Sequence, residues 1–459
     1  MRKFGVARYW LLGLVILLAA ASLALLPACG GGEEKEGSPT PKATAVGSPK
    51  ATPTVAGSPT AAGALKIGVL VPYTGALSDF GVPFERSAKL AVKEINEAGG
   101  VLGNDVVLVT GDSATEPVKA QEEARRLIDI EKVSAIIGAA ASGVTLPVAE
   151  SVTVPSEIVQ ISPASTSPAL STVEDNDFLF RTTISDAAQG VILGRLAHDI
   201  LGFTSACTMY VNNAYGQGLS AQFSKTFEEL GGTVTAEVSH AAEEQVTYTS
   251  ELNKCVEGNP EVLAAISYPE HAKVYLKEAL EGGLIDHFIF CDGTKSDKQF
   301  EALGWDNFEG MYGTAAGALK VAAGTAFTAA YEAEYGEKPP MPYMRESYDA
   351  AYVIALAAEK AGTTNSKAIR DAIRDIANPP GEVVNPGVAG FTKAVELIKA
   401  GTDIDYQGAA GPLDFDTNGD VLQGAIEVWE VTGGKIVEAV RTFAVDLSTT
   451  PPTVTEITE

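Results

Sequence analysis

Residues 135–166 read AIIGAAASGVTLPVAESVTVPSEIVQISPAST. The apolar runs AII and IVQI have the length and composition of buried parallel strands. An uncharged turn rich in small hydroxyl residues follows each run, with Ser142 in the first turn and Ser165 and Thr166 in the second. Open parallel sheets bind ligands at the carboxyl ends of their strands, where loops expose backbone N–H groups. The two turns are therefore candidates for holding a small carboxylate, although helix capping accounts for the same residues.

The chain on either side of this stretch alternates strand and helix. Apolar strands are predicted to begin near residues 66, 106, 135 and 157, and again near 206, 233, 262 and 288. Strands separated by single helices form βαβ units with right-handed crossovers and a parallel sheet. The sequence therefore predicts an α/β fold of two Rossmann-like lobes with a cleft between them.

The lobes are predicted to be built from discontinuous parts of the chain. We expect lobe 1 to comprise residues 64–186 and 318–423, and lobe 2 to comprise residues 187–317 and 424–447, followed by a tail over 448–459. Three crossing segments then join the lobes. Such an arrangement favours closure of the two lobes around a ligand.

Residues 1–28 have the pattern of a bacterial lipoprotein signal peptide. Three basic residues precede an apolar run over residues 10–26, and Leu-Pro-Ala stands immediately before Cys29. This pattern resembles the lipobox, in which the cysteine becomes the lipid-bearing N-terminus. An uncleaved anchor helix fits the same residues. In both cases the rest of the chain is predicted to lie outside the cytoplasm, attached to the cell membrane in the periplasm or on its outer face.

Residues 29–63 are predicted to be a disordered tether that begins with the lipidated cysteine. Gly-Ser-Pro recurs there with a ten-residue period among Thr, Ala, Pro and Lys residues. A segment with so few apolar side chains cannot bury enough surface to fold. It is expected to be extended, so that the folded lobes can move near the membrane.

The composition excludes several classes of function. The net charge of −26 argues against a nucleic-acid partner. Ser142 lacks the G-x-S-x-G surroundings of a hydrolase nucleophile, because Ala140 stands two residues before it. Phosphate-binding loops of the G-x-x-x-x-G-K type are also absent. We therefore expect a protein that is not an enzyme and needs no cofactor.

No metal site is predicted either. Metal-ligand spacing is absent among the histidines, which are His198, His240, His271 and His287. The acidic segment 414–420 resembles the opening of an EF-hand loop, but Ala425 stands where a calcium-binding glutamate is needed. We expect this segment to form a turn.

Three cysteines remain after Cys29, so an exported chain has at most one disulfide and one free thiol among them. Cys207 begins a predicted strand, and Cys255 ends a helix that should return toward strand starts. Cys291 lies at the opposite end of a strand. These positions favour a Cys207–Cys255 disulfide and leave Cys291 free.

Three residues at strand ends of lobe 2 are candidates for the other side of the site. Asp292 follows a predicted strand, where its carboxylate could balance a ligand ammonium, although a helix N-cap explains it equally well. Tyr215 and Tyr268 also end strands and offer apolar faces with a polar tip.

The chain from about Leu65 to Val445 resembles the type I periplasmic binding proteins of ABC transporters, in the branched-chain amino acid branch. The resemblance rests on the order of the matching stretches, which are 66–75, 94–100, the two turns within 135–166, 213–218, Tyr268, 282–284 and 411–421.

The resemblance implies how a ligand is held. Ser142 and Thr166, with the neighbouring turn residues Ala164 and Ser165, would hold the α-carboxylate of an amino acid. Asp292 falls where the family places an ammonium-binding acid, usually the longer glutamate. The aromatic pocket positions of the family fall on Phe80, Tyr215, Tyr268 and Tyr348.

The working hypothesis is a monomeric, lipid-anchored binding protein that delivers an amino acid-like ligand to an ABC permease. Three alternatives stay open at this point. The domain could sense its ligand for a receptor, it could bind an amide, urea or an aromatic acid, or it could be an extracytoplasmic hydrolase that uses Ser142.

Overall fold

The computed structural model describes residues 63–317, 319–449 and 452–457. The predicted signal peptide, Cys29 and nearly all of the tether lie outside these ranges. Among the residues described, no helix combines the length and the apolar character needed to cross a lipid bilayer.

The described residues alternate strand and helix in the α/β pattern that the sequence predicts. The strands are β1 Lys66–Val71, β2 Val107–Asp112, β3 Ala135–Gly138, β4 Val159–Ser162, β5 Leu179–Arg181, β6 Ser205–Val211, β7 Thr233–His240, β8 Val262–Ile266, β9 Phe288–Phe290, β10 Tyr312–Gly317, β11 Glu382–Val384, β12 Ile404–Tyr406, β13 Gln423–Val431, β14 Ile436–Asp446 and β15 Thr453–Glu456. The helices are α1 Ser78–Glu97, α2 Pro117–Asp129, α3 Ser142–Val148, α4 Asp186–Arg195, α5 Ala214–Glu229, α6 Thr249–Val256, α7 Pro269–Gly282, α8 Asp297–Leu303, α9 Ala322–Tyr335, α10 Met344–Ala361, α11 Ser366–Ala377 and α12 Val388–Lys399.

The first sheet is parallel and has the strand order β2-β1-β3-β4-β5. Strands β3 and β4 are buried along their whole length, as their continuous apolar runs predict. Because these two strands are neighbours and parallel, their carboxyl ends meet at one edge of the sheet. This pairing brings together the two turns within residues 135–166.

The second sheet has the order β15-β14-β13-β10-β9-β8-β6-β7. Strands β6 to β10 are parallel, whereas β13, β14 and β15 add to the edge in antiparallel fashion. The sheet is therefore mixed. Gly433 and Gly434 both have positive φ at the β13–β14 turn, which is the conformation that a two-residue hairpin loop requires.

The chain crosses between the two sheets three times. It passes from the first sheet to the second after β5 and returns after β10 to helices that pack on the first sheet. It crosses again after β12, which pairs with β11 in a separate two-stranded sheet. The returning segment places α10 against α1 and α11, where nearly every face of α10 is buried. We refer to the first sheet with its helices as lobe 1, and to the second as lobe 2.

Lobe 2 contains the disulfide. Cys207 at the start of β6 and Cys255 near the end of α6 are bonded within the core of that lobe. Cys291 is a buried free thiol, and burial, with the charge of Asp292 beside it, raises its pKa to about 12. A thiol in that environment is protonated and poorly nucleophilic.

Candidate functional site

The two turns of lobe 1 are joined by their own hydroxyl groups. Ser162 Oγ donates to the carbonyl oxygen of Ala139 at 2.6 Å, and Ser165 Oγ donates to that of Ala140 at 3.0 Å. Ser142 Oγ accepts a hydrogen bond from the backbone N–H of Ser167 at 3.2 Å. These buried bonds fix the turns relative to each other before any ligand arrives.

A cavity with about 320 Å³ of empty space lies between these turns and the strand ends of lobe 2. One part of its wall is apolar and aromatic, and the rest is formed by the turns and by polar groups of lobe 2. Its lining residues are Leu77, Phe80, Phe84, Ala140, Ala141, Ser142, Ala164, Tyr215, Tyr268, Asp292, Gly293 and Tyr343. The structure thus brings together six of the residues singled out in the sequence: Phe80, Ser142, Ala164, Tyr215, Tyr268 and Asp292.

Asp292 is the most constrained polar group of the cavity. Its Oδ1 accepts hydrogen bonds from Tyr215 Oη at 2.8 Å and Gln189 Nε2 at 2.6 Å, and its Oδ2 accepts one from Tyr343 Oη at 2.8 Å. Burial raises the pKa of this carboxyl and outweighs these three hydrogen bonds and that of the Gly293 backbone N–H, which lower it. The carboxylate caps no helix, so the capping explanation does not apply.

Asp186 is a second buried carboxyl close to Asp292, and the sequence gave no reason to select it. Its Oδ2 accepts a hydrogen bond from Thr166 Oγ1 at 2.8 Å, while its Oδ1 has no partner among the described residues. Burial and the charge of Asp292 raise the pKa of Asp186 well above its usual value. An acid in the first turn of a helix, directly after the N-cap Ser185, ordinarily indicates helix-dipole stabilisation.

The aromatic wall comes from both lobes. The rings of Tyr215 and Tyr268 are stacked in lobe 2, with centroids 5.6 Å apart and planes inclined by 11°. Tyr343 of lobe 1 stands just before α10 with a φ of 67°, a left-handed conformation that non-glycine residues seldom adopt. In this conformation the Tyr343 hydroxyl donates its hydrogen bond to Asp292. Nothing in the local sequence distinguishes Tyr343 from an ordinary loop tyrosine.

Three of the predicted site residues do not line the cavity. Tyr348 was expected as a pocket aromatic, but α10 carries it into the interior of lobe 1. There its hydroxyl donates to Glu94, and its ring packs on Phe327 and Tyr352, each with centroids 4.9 Å away. Tyr343, which lies five residues before Tyr348 and just before α10, lines the cavity instead.

Thr166 and Ser165 are the other two. The Thr166 hydroxyl, expected to donate to a ligand carboxylate, donates to Asp186 instead. The Ser165 hydroxyl contacts Thr145 and the backbone of Ala140 within lobe 1. Both residues therefore shape the second turn, while Ser142 of the first turn and Ala164 of the second line the cavity.

Arg181 supports the second turn from behind. This buried guanidinium pairs with Asp420 at 2.7 Å and donates to the carbonyl oxygen of Ser167 at 2.9 Å. Asp420 ends the acidic segment 414–420, in which Asp416 Oδ1 accepts the N–H groups of Asn418 and Asp420. This segment is a turn that holds Arg181, and no cluster of metal-ligating side chains occurs among the residues described.

The two lobes approach closely around the cavity. Ser167 Oγ of lobe 1 donates to the carbonyl oxygen of Ala214 in lobe 2 at 2.8 Å. Gly143 faces Asn213 so closely that a Cβ atom at position 143 would lie 2.7 Å from the Cβ of Asn213. The cavity is therefore surrounded by interlobe contacts, with a carboxylate on one side and neutral donors of lobe 1 on the other.

Comparison with known proteins identifies relatives of the whole folded region. A family model described as "Periplasmic binding protein" matches residues 64–435. The chemotactic signal transduction system substrate-binding protein BasB of Halobacterium salinarum is 27% identical over 357 residues, which are 76% of this chain and 83% of that protein.

Two further relatives have ligands in their names. The leucine-, isoleucine-, valine-, threonine-, and alanine-binding protein of Pseudomonas aeruginosa is 26% identical over 316 residues, which are 68% of this chain and 83% of that protein. The crystal structure of the leucine binding protein LivK of Thermotoga maritima MSB8 is similar with a TM-score of 0.68 and 27% identity, over 82% of this chain and 97% of the other.

Replacement of the second carboxyl should stabilise the ligand-free protein. The native pKa of Asp186 is raised, so the native state loses stability as the pH rises above the ordinary aspartate pKa toward the native one. We expect Asp186→Asn to raise the free energy of unfolding at pH 7 by roughly 1–3 kcal/mol. The gain should nearly vanish at pH 3.5. Urea unfolding at both pH values measures it.

The exposed Glu150→Gln substitution serves as the matched control, since it removes one negative charge without changing a buried site. It should alter stability little at either pH. An Asp186→Asn protein that is less stable than wild type at pH 7 would show that the ionised carboxylate stabilises the native state.

Proposed function

Because the chain belongs to the periplasmic binding protein family, we propose that it captures an amino acid with a branched-chain or similar side chain between its lobes and delivers it to the permease of an ABC importer. Proteins of this family bind solutes rather than transform them, so the chain is not an enzyme. It works outside the cytoplasm. The observation that carries the ligand proposal is the buried Asp292 carboxylate facing the neutral turns of lobe 1 across the cavity between the lobes.

The ammonium of the ligand is assigned to Asp292. The carboxylate has four lone-pair sites, and three of them accept hydrogen bonds from Tyr215, Gln189 and Tyr343. The backbone N–H of Gly293 also stabilises the ionised carboxylate, so we assign the ligand ammonium to Asp292 as a counter-charge. A buried carboxylate is costly unless an opposite charge accompanies it, which an ammonium supplies.

The carboxylate of the ligand is assigned to Ser142 and Ala164. Ser142 is the first residue of α3, and its Oγ already accepts the N–H of Ser167, so its own hydroxyl hydrogen is free to donate. The first backbone N–H groups of α3 have no partner within the helix. Hydroxyl and backbone donors hold an anion without adding a buried positive charge.

The ligand side chain is assigned to the apolar wall of lobe 1. Leu77, Phe80 and Phe84 provide this wall, and Ala140 and Ala141 provide the small residues beside it. Such surfaces favour an aliphatic side chain by burial of apolar area. A ligand without an amine, such as an aromatic acid, would leave Asp292 unpaired. The amide, urea and aromatic-acid alternatives are therefore less favoured.

Ligand sensing and hydrolysis are the two alternatives to import. The name of the BasB relative, a substrate-binding protein of a chemotactic signal transduction system, favours sensing as the second candidate. Capture of the ligand would then be the same, and only the membrane partner would differ. Hydrolysis by Ser142 is not favoured, since its hydroxyl contacts the backbone of Ser167 and no histidine.

Attachment to the membrane through Cys29 is part of the proposal. The basic residues, the apolar run and Leu-Pro-Ala before Cys29 support it, together with the tether that follows. A single folded copy per tether is sufficient, because the cavity is formed by one chain.

Asp292→Asn should remove most of the affinity for the amino acid. The substitution keeps the size of the side chain but leaves the ligand ammonium without its counter-charge. We expect a loss of about 2–5 kcal/mol in binding free energy for leucine, isoleucine or valine, whichever binds best to wild type. Isothermal titration calorimetry measures the change. Tyr348→Phe, which alters a predicted residue outside the cavity, should bind as wild type does.

The ligand panel for this experiment includes amides, urea and benzoate. Binding of only such amine-free ligands by wild type would contradict the assignment of Asp292, as would unchanged amino-acid affinity in Asp292→Asn.

Asp79 should control closure without touching the ligand. This lobe 1 carboxylate accepts hydrogen bonds from Ser296 Oγ and Lys298 Nζ of lobe 2, both at 2.7 Å. Burial would raise the pKa of Asp79, but these two bonds lower it overall, so the contact is formed at neutral pH. We expect Asp79→Ala to weaken the binding of every ligand by a similar factor, about tenfold or more.

Calorimetry with several ligands distinguishes this closing contact from a pocket contact. Lys298→Ala, which removes an exposed partner, should have a smaller effect. A change in the rank order of ligands in Asp79→Ala would contradict a role in closure alone.

Cys29→Ser should release the protein from the membrane. In detergent phase partitioning, the full-length wild-type chain should enter the detergent phase and the variant should remain in the aqueous phase. Ligand affinity should be equal in both, since Cys29 precedes every residue that lines the cavity. A variant that still partitions into detergent would instead indicate an uncleaved anchor helix.

A further inference from the structure

Tyr343 also lines a second cavity, and this one is larger than the first. Including its opening to solvent, the second cavity contains about 640 Å³ of empty space. Both lobes contribute to it: Thr328, Arg345 and Glu346 come from α9 and α10, whereas Lys295 and Glu427 come from lobe 2. No part of the proposed amino-acid site requires this space.

The first turn of α10 presents unpaired donors to this cavity. The helical hydrogen bonds of α10 begin with the backbone N–H of Ser347, which donates to the carbonyl oxygen of Tyr343. The N–H groups of Met344 and Arg345 make no hydrogen bond to the described residues, and no side chain caps the helix. The amino-terminal end of a long helix carries a partial positive charge that attracts anions.

Arg345 adds a full positive charge that forms no ion pair with the described residues, although Asp349 and Glu427 lie near enough to attract it. The one hydrogen bond that its side chain makes to the described residues is long, from Nη2 to Thr328 Oγ1 at 3.4 Å. A guanidinium stays charged at any physiological pH and offers several N–H donors in one plane. It is therefore suited to a carboxylate that enters the cavity.

Glu346 is a nearly buried acid that forms no ion pair with the described residues. Its side chain lines the cavity, the residue is only 6% exposed, and its carboxyl group accepts a hydrogen bond from its own backbone N–H but from no other described residue. Burial raises the pKa of Glu346 to about 8, so it is mostly protonated at pH 7 and can donate a hydrogen bond. The charged groups that face it are Arg345 and Asp349 of its own helix and Glu427 of lobe 2.

The remaining acids of the cavity are already neutralised in part. Lys295 Nζ donates to Glu427 at 2.7 Å and to Glu438 at 2.8 Å. Among the described residues, the groups left without partners are therefore the Arg345 guanidinium, the Lys338 ammonium, two backbone N–H groups and a protonated carboxyl, all of them donors. This set favours a small anion over a cation.

We propose that this cavity is a second binding site, specific for a small carboxylate that Arg345, Glu346 and the first turn of α10 hold. The site lies between the lobes and shares Tyr343 with the amino-acid cavity. An anion bound there contacts the closed form, so its binding and that of the amino acid strengthen each other reciprocally.

Acetate is the probe, and thermal unfolding is the measurement. Sodium acetate should raise the midpoint of wild type above the value in sodium chloride of equal ionic strength at pH 7, because a ligand that binds only the native state stabilises it. The shift should disappear in Arg345→Gln and persist, reduced, in Arg345→Lys.

Glu346→Gln provides an independent readout that does not depend on Arg345. Its amide retains a donor, so the acetate shift should persist at pH 7. In wild type the shift should fall as the pH rises from 7 to 9, because an ionised Glu346 repels the probe. In Glu346→Gln the shift should be the same at both pH values. An equal pH dependence in the two proteins would overturn the role of Glu346 and with it the site.

Ser142→Ala distinguishes the two cavities. Loss of the acetate shift in Ser142→Ala, with the shift retained in Arg345→Gln, would assign the probe to the first cavity and overturn the proposal. The absence of any shift beyond chloride in wild type would also overturn it, as would a shift that survives both substitutions. Failure of the amino-acid proposal would appear only in the ligand panel, so the two outcomes are separable.

Discussion

The hydrogen bonds to Asp292 connect the two halves of the molecule. One donor, Tyr215, belongs to lobe 2. A second, Gln189, lies on the helix that follows the first crossing, and the third, Tyr343, comes from lobe 1. A carboxylate can accept all three bonds only when the lobes are close together. The Asp292 carboxylate, which would bind the ligand ammonium, therefore accepts all three hydrogen bonds only in the closed form.

This arrangement places an energetic cost at the centre of the protein. Asp292 and Asp186 are buried acids with raised pKa values, and the Oδ1 atom of Asp186 and the Oε1 atom of Gln189 have no donors among the described residues. Unpaired polar atoms of this kind lower stability. Opposite them, the two turns of lobe 1 are held together by the hydroxyl groups of Ser162 and Ser165.

The fold was largely predictable from the sequence because it depends on periodicity. Continuous apolar runs such as those of β3 and β4 identify buried parallel strands, and their order determines which turns meet. Residues that line the cavity could be predicted where they lie close after a strand, as Tyr268 and Asp292 do, whereas Phe80 on α1 was predicted from the family resemblance. Tyr343 and Asp186 were missed because their positions depend on crossing segments and a left-handed residue, which have no periodic pattern. Tyr348 was misplaced for a related reason, since a helix buried on every face gives no indication of which side faces a cavity.

The contact between Gly143 and Asn213 has a kinetic consequence. A bound solute can leave only when the lobes separate, so the lifetime of the complex depends on how completely they come together. At position 143 the absence of a single carbon atom permits full approach, since a Cβ there would lie 2.7 Å from that of Asn213. A methyl group would hold the lobes slightly apart and shorten the time for which cargo is retained. One hydrogen atom in place of a side chain thus helps to set the residence time of the solute.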